Sequence, residues 1–221
     1  MLAARLLVLL ALAPACASPS ASGDESSESS ESSESSESSE SSESSESSES
    51  SGSGHESPVE FWLPLVCGTE AQVGQGNFSD FSHQGLASFA FDILVALDTP
   101  VVAMAPGVVA EVRDETRPGD PCHEGGDESC FEFANLVVLR HLDGTLTLYK
   151  HLNEVLVVEG AQVERGALLA RSGSTGWSTR PHLHVARMED CGGNYCQSIA
   201  LEFVEAGVPA TGDDVTAAPC P

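Results

Sequence analysis

The segment Arg180-Pro181-His182-Leu183-His184-Val185 places two imidazoles two residues apart among apolar neighbours. In a strand, side chains at i and i+2 leave the same face, so His182 and His184 project together and Leu183 points away. One imidazole of such a pair can hold a metal ion while the other works on a substrate held there. Asp92 stands inside Phe91-Asp92-Ile93, where an unpaired carboxylate is costly unless a cation or strong donors meet it. His83 precedes it in Ser82-His83-Gln84-Gly85, and His151 ends Thr147-Leu148-Tyr149-Lys150-His151. Alternation puts His151 on the face of Thr147 and Tyr149. Two histidines, one aspartate and an open fourth position would make a catalytic zinc site. A half-exposed strand of ordinary kind delivers the same His-x-His spacing, so spacing alone leaves both readings open. No His-Glu-x-x-His is present, which excludes the helical metalloprotease arrangement.

The elements that must position these residues read as strands. Phe89–Ile93, Val101–Ala105, Val108–Val112, Leu136–Arg140, Thr145–His151, Val155–Val158 and His182–Arg187 show period two or short apolar runs broken by Gly, Pro and Asp. Asp143-Gly144 between two of them is a hairpin signal. Helix periodicity is absent except for a short turn expected near Ser198–Val204. The fold class expected is all-β, a small antiparallel sheet or open barrel-like domain. His55, His123 and His141 read as solvated surface residues, away from the chemistry.

The domain occupies residues 58–221, behind two segments of different character. Residues 1–15 carry Arg5, the apolar run Leu6–Ala13 and then small residues, the pattern of a signal peptide. Ala13-Pro14-Ala15-Cys16 resembles a lipoprotein cleavage site that would leave Cys16 acylated; ordinary cleavage near Ala15 or Ala17 is the alternative. Residues 16–57 form an acidic linker containing nine consecutive Glu-Ser-Ser units at 25–51. With nothing apolar to bury, that run is expected to be disordered and charge-extended, a tether of ~35 Å or more.

Charge and cysteine counts narrow the function further. The chain has 34 acidic against 9 basic residues, net −25, which repels phosphate backbones and speaks against nucleic acid as a partner. Of seven cysteines, Cys16 stands alone before the linker and six fall in the domain, allowing 15 pairings. The local pairs Cys122–Cys130 and Cys191–Cys196 are easiest, and Cys67–Cys220 follows by exclusion. A metal site at Cys122, His123 and Cys130 is the competing reading. The even count in the domain leaves Cys16 for a lipid, and places the protein in the cell envelope, exported and membrane-anchored.

Three blocks of this sequence resemble the lysostaphin-like (M23) zinc metallopeptidases. The first is Ser82-His83-Gln84-Gly85…Phe89-Ala90-Phe91-Asp92 with Thr99-Pro100-Val101…Gly107-Val108-Val109; the second is Leu148-Tyr149-Lys150-His151-Leu152. The third and most specific is Gly160…Gly166…Ser172-Gly173-Ser174-Thr175-Gly176…Pro181-His182-Leu183-His184. The resemblance spans about residues 75–188. It implies the hybrid-motif β fold of that family and Zn²⁺ held by His83, Asp92 and His184. It also implies that His151 and His182 flank the attacking water as acid, base or oxyanion partner. The substrate implied is the peptide cross-links of bacterial peptidoglycan. The sequence departs from the simplest members, which have three residues between His and Asp where eight separate His83 from Asp92. Asn135 matches a family asparagine and reads equally as a structural turn residue.

Two other classes compete. A non-catalytic relative could act as scaffold or activator of cell-wall hydrolases, although such members usually lack the ligands present here. A lipoyl- or biotin-carrier module is suggested by Val155–Ala170, but a carrier needs an exposed turn lysine. The only lysine is Lys150, on a strand.

Overall fold

The computed structural model describes residues 58–218; the expected signal peptide, Cys16 and the Glu-Ser-Ser linker lie outside the described residues. Twelve strands run in chain order: β1 (Glu70–Gln75), β2 (Phe91–Leu94), β3 (Pro100–Val102), β4 (Gly107–Arg113), β5 (Leu136–Arg140) and β6 (Leu146–Lys150). They continue as β7 (Leu152–Val155), β8 (Gln162–Val163), β9 (Leu168–Ser172), β10 (Leu183–Met188), β11 (Ser198–Ile199) and β12 (Asp214–Thr216). The large sheet has the order β12-β1-β2-β10-β6-β5-β4-β8, with β11 added to β10, and a small sheet has the order β3-β9-β7. All pairings between these strands are antiparallel. The fold class is all-β, as the sequence pattern requires.

Alternation splits the large sheet into two faces. Phe91, Ile93, Leu183, Val185, Tyr149, Val137 and Leu139 point into the main core with Phe203 and Leu169. Leu136, Val138, Leu146, Leu148, Ala186 and Met188 line the other face and form a smaller cluster under Cys196. The Cys191–Cys196 disulfide closes the loop over that cluster, and Cys122–Cys130 closes the acidic loop. Both local pairings are as expected, and the disulfide removes the alternative metal site at Cys122, His123 and Cys130. Cys67 is also disulfide-bonded; its expected partner Cys220 lies outside the described residues.

Several local expectations need correction. The turn expected near Ser198–Val204 lies slightly later, where the Gly207 N–H donates to the Phe203 carbonyl at 2.7 Å, while Ser198–Ile199 pairs with β10 and Phe203 bridges to Phe61. Two 3-10 turns occur elsewhere, at Gly85–Ala87 and Glu128–Phe133. His141 is not solvated. It is buried, with Nδ1 2.7 Å from the Pro106 carbonyl and Nε2 2.8 Å from Thr147 Oγ1. His123 is half-buried, its Nε2 shielded without a hydrogen-bond partner.

Candidate active site

One row of residues crosses the large sheet. In the antiparallel register Asp92 on β2 faces His184 on β10, which faces Lys150 on β6, which faces Leu136 on β5. Facing residues share a side of the sheet, so carboxylate, imidazole and ammonium line up on the face opposite the main core. Leu183 goes into that core, as period two demands. His182, two residues before His184, projects to the row's side at the end of β10.

His83 and His151 reach the row from outside regular strand. The segment between His83 and Asp92 contains the Gly85–Ala87 turn, and the Phe78 N–H donates to the Ser88 carbonyl at 2.7 Å. That closure folds the eight intervening residues back, so His83 is fully buried with its Nε2 3.2 Å from Asp92 Oδ1. His151 sits where the chain leaves β6 in the large sheet and enters β7 in the small one. It takes φ +68°, the left-handed region, which a non-glycine residue adopts only under constraint. Regular alternation would send His151 into the core beside Tyr149. The left-handed corner turns it to the opposite side instead, beside His182 with ring centroids 4.5 Å apart. The shared face expected for His151, Thr147 and Tyr149 is therefore wrong.

Asp92, His151, His182 and His184 line one cleft of about 410 Å³ with Gln75, Phe131, Trp177 and Arg180, and His83 is buried behind Asp92. His184 Nδ1 lies 2.8 Å from Asp92 Oδ1, and His182 Nε2 lies 3.6 Å from it. Each outer ring nitrogen that the structure fixes faces a backbone carbonyl. His83 Nδ1 is 2.9 Å from the Gly76 oxygen, His151 Nδ1 2.7 Å from Thr175, and His182 Nδ1 2.8 Å from Arg180. A carbonyl can only accept, so Nδ1 carries the proton in each; in His151 and His182 this leaves the neutral Nε2 as a lone pair, whereas His83 turns its Nε2 to Asp92.

His83, Asp92 and His184 offer ligand atoms that all lie within 4.8 Å of one another. A tetrahedral ion with bonds of about 2.0–2.1 Å separates its ligand atoms by about 3.3 Å. The 2.8 and 3.2 Å separations about Asp92 Oδ1 are close to that spacing. Two imidazole nitrogens and one carboxylate oxygen are also a donor set that suits zinc. Burial opposes charge on Asp92, but hydrogen bonds from His184 and His83 outweigh it and hold the carboxyl well below its ordinary range. Burial also lowers His184 despite Asp92. For His83 burial works against the charge, yet the Asp92 contact leaves the imidazole raised. Burial, then the charges of His182, His184 and Lys150, push His151 well below its ordinary value.

Sequence reasoning missed the residues that hold the ligands. Gln75, opposite Asp92 just past a bulge in β1, donates from Nε2 to Asp92 Oδ2 and to Ser82 Oγ, and accepts from Ser79 Oγ. Asn135 proves structural: its Oδ1 accepts from Thr116 N, and its Nδ2 donates to the carbonyls of Thr116 and Leu152. Thr175 links it to His151, donating from Oγ1 to the Leu152 carbonyl while its own carbonyl accepts from His151 Nδ1. Gly176 has φ +83° and packs so closely on Ala134 that a Cβ would lie 2.5 Å from the alanine's. No side-chain periodicity marks these positions.

A β scaffold with a preassembled His/Asp cluster, a second histidine pair and a cleft above them defines the class of site. Comparison with known proteins gives the family of the chain. Residues 87–195 match the family model of Peptidase family M23. Peptidoglycan DD-endopeptidase ShyA of Vibrio cholerae is 34% identical over 93 residues, which cover 42% of this chain and 18% of ShyA. Lysostaphin of Staphylococcus simulans is 32% identical over 133 residues, 59% of this chain and 24% of that protein. The solved structure of the antimicrobial peptidase lysostaphin from the same organism is 28% identical, covers 58% of this chain and 47% of that one, and gives a TM-score of 0.43. The chain belongs to the lysostaphin-like M23 peptidase family. It spans a quarter or less of the length of these two curated relatives. The family match includes Asp92, His151, His182 and His184; His83 precedes it.

Proposed function

We propose that the protein is a zinc-dependent endopeptidase that hydrolyses peptide cross-links of bacterial peptidoglycan. The observation that carries this reading is the convergence of His83, Asp92 and His184 within ligand distance of one another, beside two histidines whose Nε2 atoms face the same cleft. Family membership supports a peptidase, and the likeness to ShyA, a peptidoglycan DD-endopeptidase, supports the envelope polymer as the substrate class. Zn²⁺ bound by the three residues would supply Lewis-acid polarisation of the scissile carbonyl and acidification of water.

The chain's own residues do the rest. His151 and His182 arrive in the required tautomer because Thr175 and Arg180 carbonyls hold their Nδ1 protons. One Nε2 accepts a proton as water adds to the carbonyl carbon, and that proton is returned to the amine nitrogen as the C–N bond breaks. The other imidazole donates to the developing oxyanion once its Nε2 is protonated as well, because an oxyanion only accepts. Burial keeps competing bulk water from the base. In the scaffold alternative the ligand set would have no task; a complete set in a formed cleft favours the enzyme.

We also propose export and anchoring through residues 1–15 and Cys16, with 16–57 as tether, which would place the cleft within reach of the cell wall. The test of function is digestion of purified peptidoglycan by the purified protein, with and without a zinc chelator, read by mass analysis. Fragments carrying newly freed peptide termini, lost on chelation and restored by Zn²⁺, are expected. Intact cross-links under zinc would remove the enzyme reading.

A further inference from the structure

Lys150 is the only lysine of the chain, and it is 5% exposed. Its Nζ lies 3.8 Å from the centre of the Phe131 ring and 5.6 Å from that of Tyr195. Among the described residues no carboxylate or hydrogen-bond acceptor pairs with it. That is unusual for a buried ammonium, whose desolvation is costly unless an anion compensates. Arg113, Arg117, Arg140 and Arg187 of this acidic chain each pair with a carboxylate. Lys150 does not, although acids are plentiful.

Position gives the reason. Lys150 faces His184 across the β6–β10 pair and lines the same cleft as Asp92, His151 and His182. Facing side chains begin about 4.5–5.5 Å apart, so the ammonium stands within one or two peptide residues of the ligand cluster. The ammonium itself lies over the Phe131 ring with Tyr195 farther off, a contact that fixes its position while it still borders the cleft.

We infer that Lys150 is the receptor for a free carboxylate of the peptide substrate, one or two residues from the bond that is cut. The protein therefore selects anionic stem peptides over neutral or amidated ones. This inference deepens the proposed function and rests on a peptide occupying the cleft. A fold-disposed cation that rests on aromatic rings with no carboxylate in contact, only the more distant charges of Glu132 and Asp92, is left complementary to an anion, and an amide in the same place would repay less of its desolvation.

The test uses two synthetic stem-peptide analogues, identical except that the carboxylate flanking the scissile position is free in one and a primary amide in the other. A ketomethylene link replaces the scissile amide, so binding is read by calorimetry without turnover. The zinc-loaded protein should bind the free acid at least about tenfold more tightly than the amide. Lys150→Met should erase that preference, and Lys150→Arg should keep most of it. Lys150→Gln replaces the methionine variant if that one melts early. Equal binding of both peptides by the unmodified protein would overturn the proposal. So would a preference that survives Lys150→Met but vanishes in Arg180→Met. Failure of the parent reading looks different: the preference persists while the cleavable free acid stays intact, which sinks the peptidase and leaves the carboxylate receptor standing.

Discussion

Gln75→Ala isolates the group that holds Asp92 without touching any ligand. In the structure Asp92 Oδ1 is shared by His184 at 2.8 Å and His83 at 3.2 Å, while Oδ2 is held by the Gln75 amide. Ser79 and Ser82 fix that amide in turn. A hydrogen bond to a buried carboxylate is worth about 1.5–3 kcal/mol. Removing it frees Asp92 to rotate, and the proposed site must then order its own ligand. The loss corresponds to roughly ten- to hundredfold weaker zinc binding, the usual scale for groups that orient metal ligands. Competition against a chromophoric chelator measures it, with thermal melting of the metal-free protein as the control for folding. A zinc affinity within about threefold of wild type, in a variant that still folds, would refute the assignment of Gln75 as the support of Asp92.

Three further outcomes follow from other parts of the molecule. Asn135→Ala strands the buried Thr116 N–H and carbonyl, while Leu152 keeps its Thr175 donor. A loss of about 3 kcal/mol should lower Tm by about 6–12 °C in scanning calorimetry, and an unchanged Tm would contradict the role given to it. Burial above all lowers the pKa of His141, so below its ordinary 6.5 the unfolded chain binds a proton that the folded imidazole resists. Stability should therefore fall as pH drops from about 6.5. His141→Asn should lose less Tm than wild type between about pH 7.5 and 5.5, whereas parallel losses would show that His141 does not contribute. Cys16→Ser should release the protein from the membrane fraction; a wild-type protein already found entirely in the soluble fraction would end the tether proposal.

The sequence made part of this site legible because strand alternation is a local rule. Phe91-Asp92-Ile93 and His182-Leu183-His184 each announce which side chain leaves the core, and the register of β2 and β10 joins them as the pattern suggests. His151 was recognisable as a residue but not in its direction, because a left-handed φ at the corner between two sheets reverses alternation without a glycine to mark it. The strand β1 was missed for a plain reason: of Glu70–Gln75 only Val73 is buried, so the apolar signal is one residue long. Strand β9 reads Leu-Leu-Ala-Arg-Ser, with no alternation to find. His141 looked exposed beside a turn, yet the Pro106 carbonyl that buries it lies 35 residues away in sequence. Gln75 and Lys150 become visible only through cross-strand register, which no local pattern contains.

The most direct test of the account is zinc bound per chain, by mass spectrometry of the purified metal-loaded protein, in wild type, His83→Ala, His184→Ala and His151→Ala. The three-ligand reading predicts about one zinc in wild type and His151→Ala, and a large loss in both His83→Ala and His184→Ala. His151→Ala should nonetheless lose about 10²–10⁴-fold in peptidoglycan cleavage, the range for a group that moves protons. Full zinc retained by His83→Ala would mean that another group supplies that ligand, and no zinc in the wild-type protein would contradict the metal centre itself.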